Sequence, residues 1–193
     1  FMFCYQCEET NKGKGCTIAG ICGKKAEVAE LMDLFIHLLR GISVYNLELK
    51  KNGKPTEKVD RFIVDGLFST ITNVNFDKKY FLNKINKALE IRENIKEDIT
   101  IDLRDDALDW HSTDENEIME KAKTVGVLRT NNEDIRSLRE LIIYGLKGMA
   151  AYYHHANILG EKDNEITTFM QEALAATLLE KTVEELTQLV LKC

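Results

Sequence analysis

Leu31-Met32-Asp33-Leu34-Phe35-Ile36 and Leu138-Arg139-Glu140-Leu141-Ile142-Ile143 are two copies of one pattern, set 107 positions apart. The register continues through Leu39/Leu146, Arg40/Lys147, Gly41/Gly148 and Tyr45/Tyr152. It then crosses a loop without a gap into Phe62/Phe169, Asp65/Glu172, Leu67/Leu174, Ser69/Ala176 and Thr70/Thr177. Apolar periodicity makes amphipathic helices look alike, but it does not match Gly with Gly and Tyr with Tyr across a loop. The pattern therefore predicts a duplicated three-helix unit, each copy burying its stripes as a small bundle.

Working outward from these copies, the first long helix runs from Ala26 to about Lys51, where Asn52-Gly53-Lys54-Pro55 stops it. A second covers Phe62 to Ile71, and a third starts at Asp77, a suitable N-cap, and continues through Ile95. Ile99-Thr100-Ile101-Asp102-Leu103 alternates as a short strand would, within an irregular stretch that ends near Asp114. Residues 131 to 159 form the long helix of the second copy, with Gly160 as its stop. Asp163 opens the next helix, and Thr182 with Glu185 has capping-box spacing for the last. That helix has run only about ten residues at Cys193, so the chain is expected to be a fragment of something longer. The fold class is all-α: a helical domain over 26–193, with bundles at about 26–100 and 131–193, behind a cysteine-rich loop at 1–25.

The chain has 193 residues, 44% of them hydrophobic and 30% charged, with one Pro. That is ample for a core and unlike a disordered or collagenous chain. Its net charge of −6 gives no electrostatic footprint for nucleic acid or for an anionic membrane. No apolar run reaches the roughly 18 residues of a transmembrane helix. No basic stretch followed by an apolar one opens the chain, so a cytoplasmic location is expected.

Four of the five cysteines, Cys4, Cys7, Cys16 and Cys22, fall in the first 22 residues, and the fifth is Cys193. A secreted disulfide scaffold would spread them to close long loops. The spacing C-x2-C-x8-C-x5-C, with Gly13, Gly15, Gly20 and Gly23 between, suits four ligands around one centre. Four thiolates suit tetrahedral zinc or an iron–sulfur cluster. A zinc ribbon presents two C-x2-C knuckles, whereas one knuckle followed by C-x5-C favours a cluster with its corners spread over a loop.

Met2-Phe3-Cys4-Tyr5-Gln6-Cys7-Glu8-Glu9-Thr10, Gly15-Cys16-Thr17 and Gly20-Ile21-Cys22-Gly23-Lys24 resemble the N-terminus of the hybrid cluster proteins, also called prismane proteins or hydroxylamine reductases. The resemblance continues through Gly66-Leu67-Phe68-Ser69-Thr70-Ile71-Thr72-Asn73, Lys121-Ala122-Lys123-Thr124-Val125-Gly126 and Asn132 to Leu141, and so covers essentially the whole chain. It implies that Cys4, Cys7, Cys16 and Cys22 hold a [4Fe–4S] cluster, and that the first domain consists of two three-helix bundles. It also implies reduction of hydroxylamine to ammonia, with links to nitric oxide reduction. In that family the reaction takes place at a second, mixed cluster held by later domains. This chain is therefore expected to be an electron-entry domain with no catalytic residues of its own, working with the remaining domains of a parent protein or with an electron-donor protein. The competing readings are a zinc-stabilised helical interaction module and a free-standing ferredoxin-like carrier.

Other residues that suggest chemistry have structural readings. His154 and His155 are adjacent on a helix, about 100° apart, and cannot readily share one ion. His37 matches Tyr144 in the repeat and is expected to pack, as is Trp110 beside His111. Cys193 is expected to be a helix-surface or interface thiol. Glu8 and Glu9 are expected to stay solvated, and Asn132-Glu133-Asp134 to open a helix.

Overall fold

The computed structural model describes residues 2–7, 9–71, 75–97 and 99–193. Glu8 and the Thr72-Asn73 part of the resemblance lie outside these residues. Among the described residues eight α-helices form: α1 Ala26–Lys51, α2 Glu57–Ser69, α3 Lys78–Lys96, α4 Asp106–Asp109, α5 Glu115–Ala122, α6 Glu133–Ile158, α7 Asn164–Ala176 and α8 Val183–Val190. A shift of 107 carries both ends of α1 onto those of α6 and both ends of α2 onto those of α7. The repeat thus holds to the residue in its first two helices. The third pair departs, α3 having 19 residues and α8 eight.

The starts follow from local chemistry. The side chains of Asp77, Asp114, Asn132, Asp163 and Thr182 each accept a backbone N–H in the first turn of the helix that follows, and Thr182 with Glu185 completes a capping box. Gly160, at φ +91°, ends α6 as its position predicts. The second helix begins at Glu57 rather than Phe62. Its first turn carries Glu57 and Asp60, which favour a helix N-terminus electrostatically yet leave no trace in apolar periodicity. Residues 99–103 do not form a strand: among the described residues none is paired there, because no second strand offers a ladder. No described helix is long and apolar enough to cross a membrane.

The two copies interlock. α1 packs against α3 and, more extensively than against its own α2, against α7; α6 packs against α8 and, more than against α7, against α2. One continuous core results, drawing Leu34, Phe35 and Leu38 from α1, Ile63 and Leu67 from α2, and Ile142 and Leu146 from α6, with Met170 and Leu174 from α7.

α4 lies across α1 at a point of close approach. A Cβ on Gly41 would collide with the Ala107 carbonyl. The fully buried Arg92 guanidinium donates to Ala107 O (2.9 Å) and Trp110 O (2.6 Å), holding the segment down. Trp110 packs against the core as expected. Gly41→Ala should therefore cost about 1–3 kcal/mol through overpacking against backbone that Arg92 prevents from moving. Gly148, its repeat partner, has nothing within 4 Å of a Cβ. Gly148→Ala should be neutral or slightly stabilising, and urea unfolding of the two variants side by side checks the contrast.

Candidate metal centre

The N-terminal loop owes its shape to its glycines and to one short backbone pairing. Cys4 and Cys16 face each other in an isolated antiparallel bridge, N–H to carbonyl in both directions at 3.0 and 2.9 Å. Gly13 (φ +65°) and Gly15 (φ +131°) reverse the chain ahead of Cys16. At Gly15 the Phe3 ring lies so close that a Cβ would stand 2.6 Å from it. A second turn, closed by Gly23 N–H donating to Gly20 O (2.8 Å), carries Cys22.

Cys4 and Cys16 are buried with Met2 and Ala29 in a small apolar cluster at the start of α1, while Cys7 and Cys22 are half-buried. Burial pushes the Cys4 thiol up to about 11, against a backbone N–H from Gln6 that favours the thiolate. At Cys16 burial pushes the same way but is outweighed by N–H groups of Ile21 and Asn11, by the Thr10 hydroxyl and by the Lys24 charge, so its pKa falls. Both sulfurs thus receive backbone donors, the kind of hydrogen bond that stabilises thiolates bound to iron.

Polar side chains fasten the loop to both copies of the repeat. The buried Lys24 ammonium donates to Gln6 Oε1 (2.7 Å), and Gln6 Nε2 donates to Ala29 O (2.9 Å) and to Asp33 Oδ1 (2.6 Å) on α1. From α6, the Tyr144 hydroxyl donates to Tyr5 O, and the two rings stack at 6.3 Å. Beneath the loop lie Asp33 and Arg40 of α1 and their repeat partners Glu140 and Lys147 of α6, around a 20 Å³ cavity, the size of about one water. Burial raises Asp33 to about 7, raises Glu140, and lowers Lys147 to about 8.

The two candidate centres differ in how far apart they hold their sulfurs. Four thiolates on tetrahedral zinc, each about 2.3 Å from the metal, stand roughly 3.8 Å apart. No three of these sulfurs come within 4.8 Å of one another. The sulfurs of the loop therefore stand farther apart than a closed tetrahedral zinc site would hold them.

A scan against protein families matches residues 2–193 to the Prismane/CO dehydrogenase family. The chain belongs to that family. Among relatives of this prismane-family chain are proteins named hydroxylamine reductase. One from Bacteroides fragilis is 52% identical over 191 residues, which is 98% of this chain and 35% of that protein. One from Thermoanaerobacter pseudethanolicus is 55% identical, covering 92% of this chain and 33% of that protein, and one from Clostridium novyi is 48% identical over the whole chain and 36% of that protein. The chain spans about a third of the length of these relatives.

The remaining candidates fall where their structural readings put them. His154 Nδ1 is 2.7 Å from Asp65 Oδ1, and its ring stacks on Phe68 at 4.5 Å. Cys193 is exposed and lies against Gly145 of α6. Glu9 is exposed. His37 does more than pack: fully buried, it sits 2.8 Å from Asp106 and 3.1 Å from Arg129 Nη1. His37, Asp105 and Asp106 are the one described trio with ligand atoms within 4.8 Å. Arg129 bonds both carboxylates (2.8 and 3.0 Å) and Lys121 pairs with Asp106, so protein cations already occupy the place of an ion. Sequence reasoning missed this hub because His37 is 68 or more residues from every other member along the chain.

Proposed function

We propose that this prismane-family chain is the iron–sulfur electron-transfer domain of a hydroxylamine reductase, with Cys4, Cys7, Cys16 and Cys22 holding one [4Fe–4S] cluster. The observation that carries the reading is the Cys4–Cys16 bridge, which places two buried thiols opposite each other and aims backbone donors at both sulfurs. Prismane proteins bind iron–sulfur clusters, and the relatives share nearly the whole length of this chain. Such a cluster takes up and gives back single electrons. The protein's own part is to hold the sulfurs, to shelter Cys4 and Cys16 from water, and to place Lys24 and the N–H donors where they offset the negative charge gained on reduction. The partner in transfer is the remaining two-thirds of a hydroxylamine reductase or a separate electron-donor protein.

Anaerobically purified protein should be brown, with broad visible absorption that bleaches on reduction. Colourless protein carrying one zinc per chain would overturn the assignment in favour of the helical interaction module. Supplied with a reduced dye and hydroxylamine, the 193-residue chain should form ammonia no faster than a simple four-cysteine ferredoxin. A centre with four cysteine ligands offers substrate no open metal position. Iron-dependent turnover well above that control would place a catalytic site within these residues.

A further inference from the structure

Arg40 and Glu140 also line a second cavity, of 130 Å³, together with Arg129, Arg139, Asp105 and Thr177. Three guanidinium groups converge there: burial lowers the proton affinity of Arg40 and of Arg139, Arg129 lowers both further, and Arg40 adds to the effect on Arg139. The Nε atoms of both Arg40 and Arg139 are buried without a hydrogen-bond partner. A buried donor left unsatisfied is unfavourable, the more so when it is charged, so two in one small space call for an acceptor.

The protein groups do not supply it. Arg139 spends its other nitrogens on Thr130 Oγ1 (3.1 Å) and Leu179 O (2.9 Å). Asp105 is taken by Arg129 at 2.8 Å. Glu140 lines the cavity but makes no ion pair within 4.0 Å among the described residues, and neither does Arg40. The repeat sharpens the point. Lys147, the counterpart of Arg40, donates to the carbonyl of Thr70 at 3.2 Å. Thr177, the counterpart of Thr70, lines the cavity, yet Arg40 makes no such bond. The second copy closes this position with a hydrogen bond; the first leaves a cationic hole.

We propose that this cavity binds a small free oxyanion, of the size of phosphate, sulfate or acetate, with Arg40 and Arg139 as its donors and Arg129, one-third exposed, at its mouth. Guanidinium groups present forked donors that match such oxygens. The volume is well below the roughly 300–1,000 Å³ of sites for larger organic ligands, so nucleotides are excluded.

The test is thermal unfolding of the anaerobically purified chain at constant ionic strength, with chloride replaced stepwise by phosphate, sulfate or acetate, and with ADP as the oversized control. At about ten times the dissociation constant the midpoint should rise by about 3–5 °C. Arg40→Met removes an unpaired charge and no hydrogen bond, so the midpoint in chloride should hold or rise while the oxyanion response disappears. Glu140→Gln, which removes the opposing carboxylate, should strengthen the response several-fold. Equal midpoints in chloride and in every oxyanion would overturn the proposal. So would an undiminished response in Arg40→Met, which would mean general ion effects, or a response lost in Glu140→Gln, which would make that carboxylate the true partner of the arginines.

Discussion

Cys16→Ser and Cys4→Ser proteins should purify with almost no iron and no visible absorption. Serine keeps the size of cysteine but presents a hydroxyl, which at neutral pH stays protonated and binds iron poorly compared with thiolate. At these two positions the loss is expected to be complete, because the sulfurs are buried beneath Met2 and Ala29 and no water can take the vacated ligand position. Cys16 is also the thiol whose surroundings most favour the anion, through Ile21, Asn11 and Thr10, so its replacement leaves three donors aimed at a poor acceptor. Cys7 and Cys22 are half-buried, and solvent can reach them. Their serine variants should retain a fraction of the iron and a distorted spectrum. Cys193→Ser should keep the full iron content, since that thiol lies against Gly145 on α6, apart from the loop. Iron and sulfide analysis of the five variants gives the ranking. Equal loss from all four loop variants would show that burial plays no part, and loss from Cys193→Ser would show that the ligand set is wrong.

The cysteine-rich loop and the long helices were legible because their signals are local. Thiol spacing, glycine placement and a repeated apolar stripe can all be read along the chain, and the repeat even gave the bounds of α6 and α7 once α1 and α2 were known. Partner choice was not legible. The stripe on α1 says that it is buried, and nothing in it says that α7 rather than α2 covers more of it. α4 was missed for a related reason. Its four residues, Asp106-Ala107-Leu108-Asp109, are too few for periodicity, and what fixes them is Gly41 and Arg92, each at least 14 residues away. The alternating run at 99–103 shows the converse error: the pattern was present, but a strand without a partner leaves its backbone groups better served by water. The buried charges were visible without being understood. Asp33 with Glu140 and Arg40 with Lys147 are matched positions of the repeat, charged residues falling within an apolar stripe, where the unfavourable desolvation of an ion signals a paired or functional role.

Asp33→Asn should stabilise the protein strongly at pH 8 and hardly at all at pH 4. Asp33 is buried beneath the cluster loop, and burial is the main cause that raises its pKa from 3.8 to about 7, Glu140 adding to the rise while the Gln6 hydrogen bond, Lys147 and Arg40 oppose it. A carboxyl whose folded pKa exceeds its unfolded value adds stability that is fully present below the unfolded pKa and is lost as pH rises through the folded one. In the parent chain this loss begins near pH 4 and is complete just above pH 7. Its full extent is up to about 4 kcal/mol, from some three pK units at 1.36 kcal/mol each. Asparagine has the same shape, can still accept from Gln6 Nε2, and does not ionise, so it should escape the loss. Lys147 runs the other way, since a lysine lowered to about 8 withdraws stability as pH falls from 10.5 towards 8, and Glu140 runs in the same sense as Asp33. Both remain in parent and variant alike, so the difference between the two urea midpoints reads the ionisation of Asp33 together with its coupling to Lys147. That difference should open between pH 4 and 7 and stay level above. An Asp33→Asn protein less stable than the parent at pH 8 would mean that the carboxylate is ionised in the fold and held as the counter-charge of Arg40 and Lys147, so that the four charges at the crossing of α1 and α6 form a closed ion network.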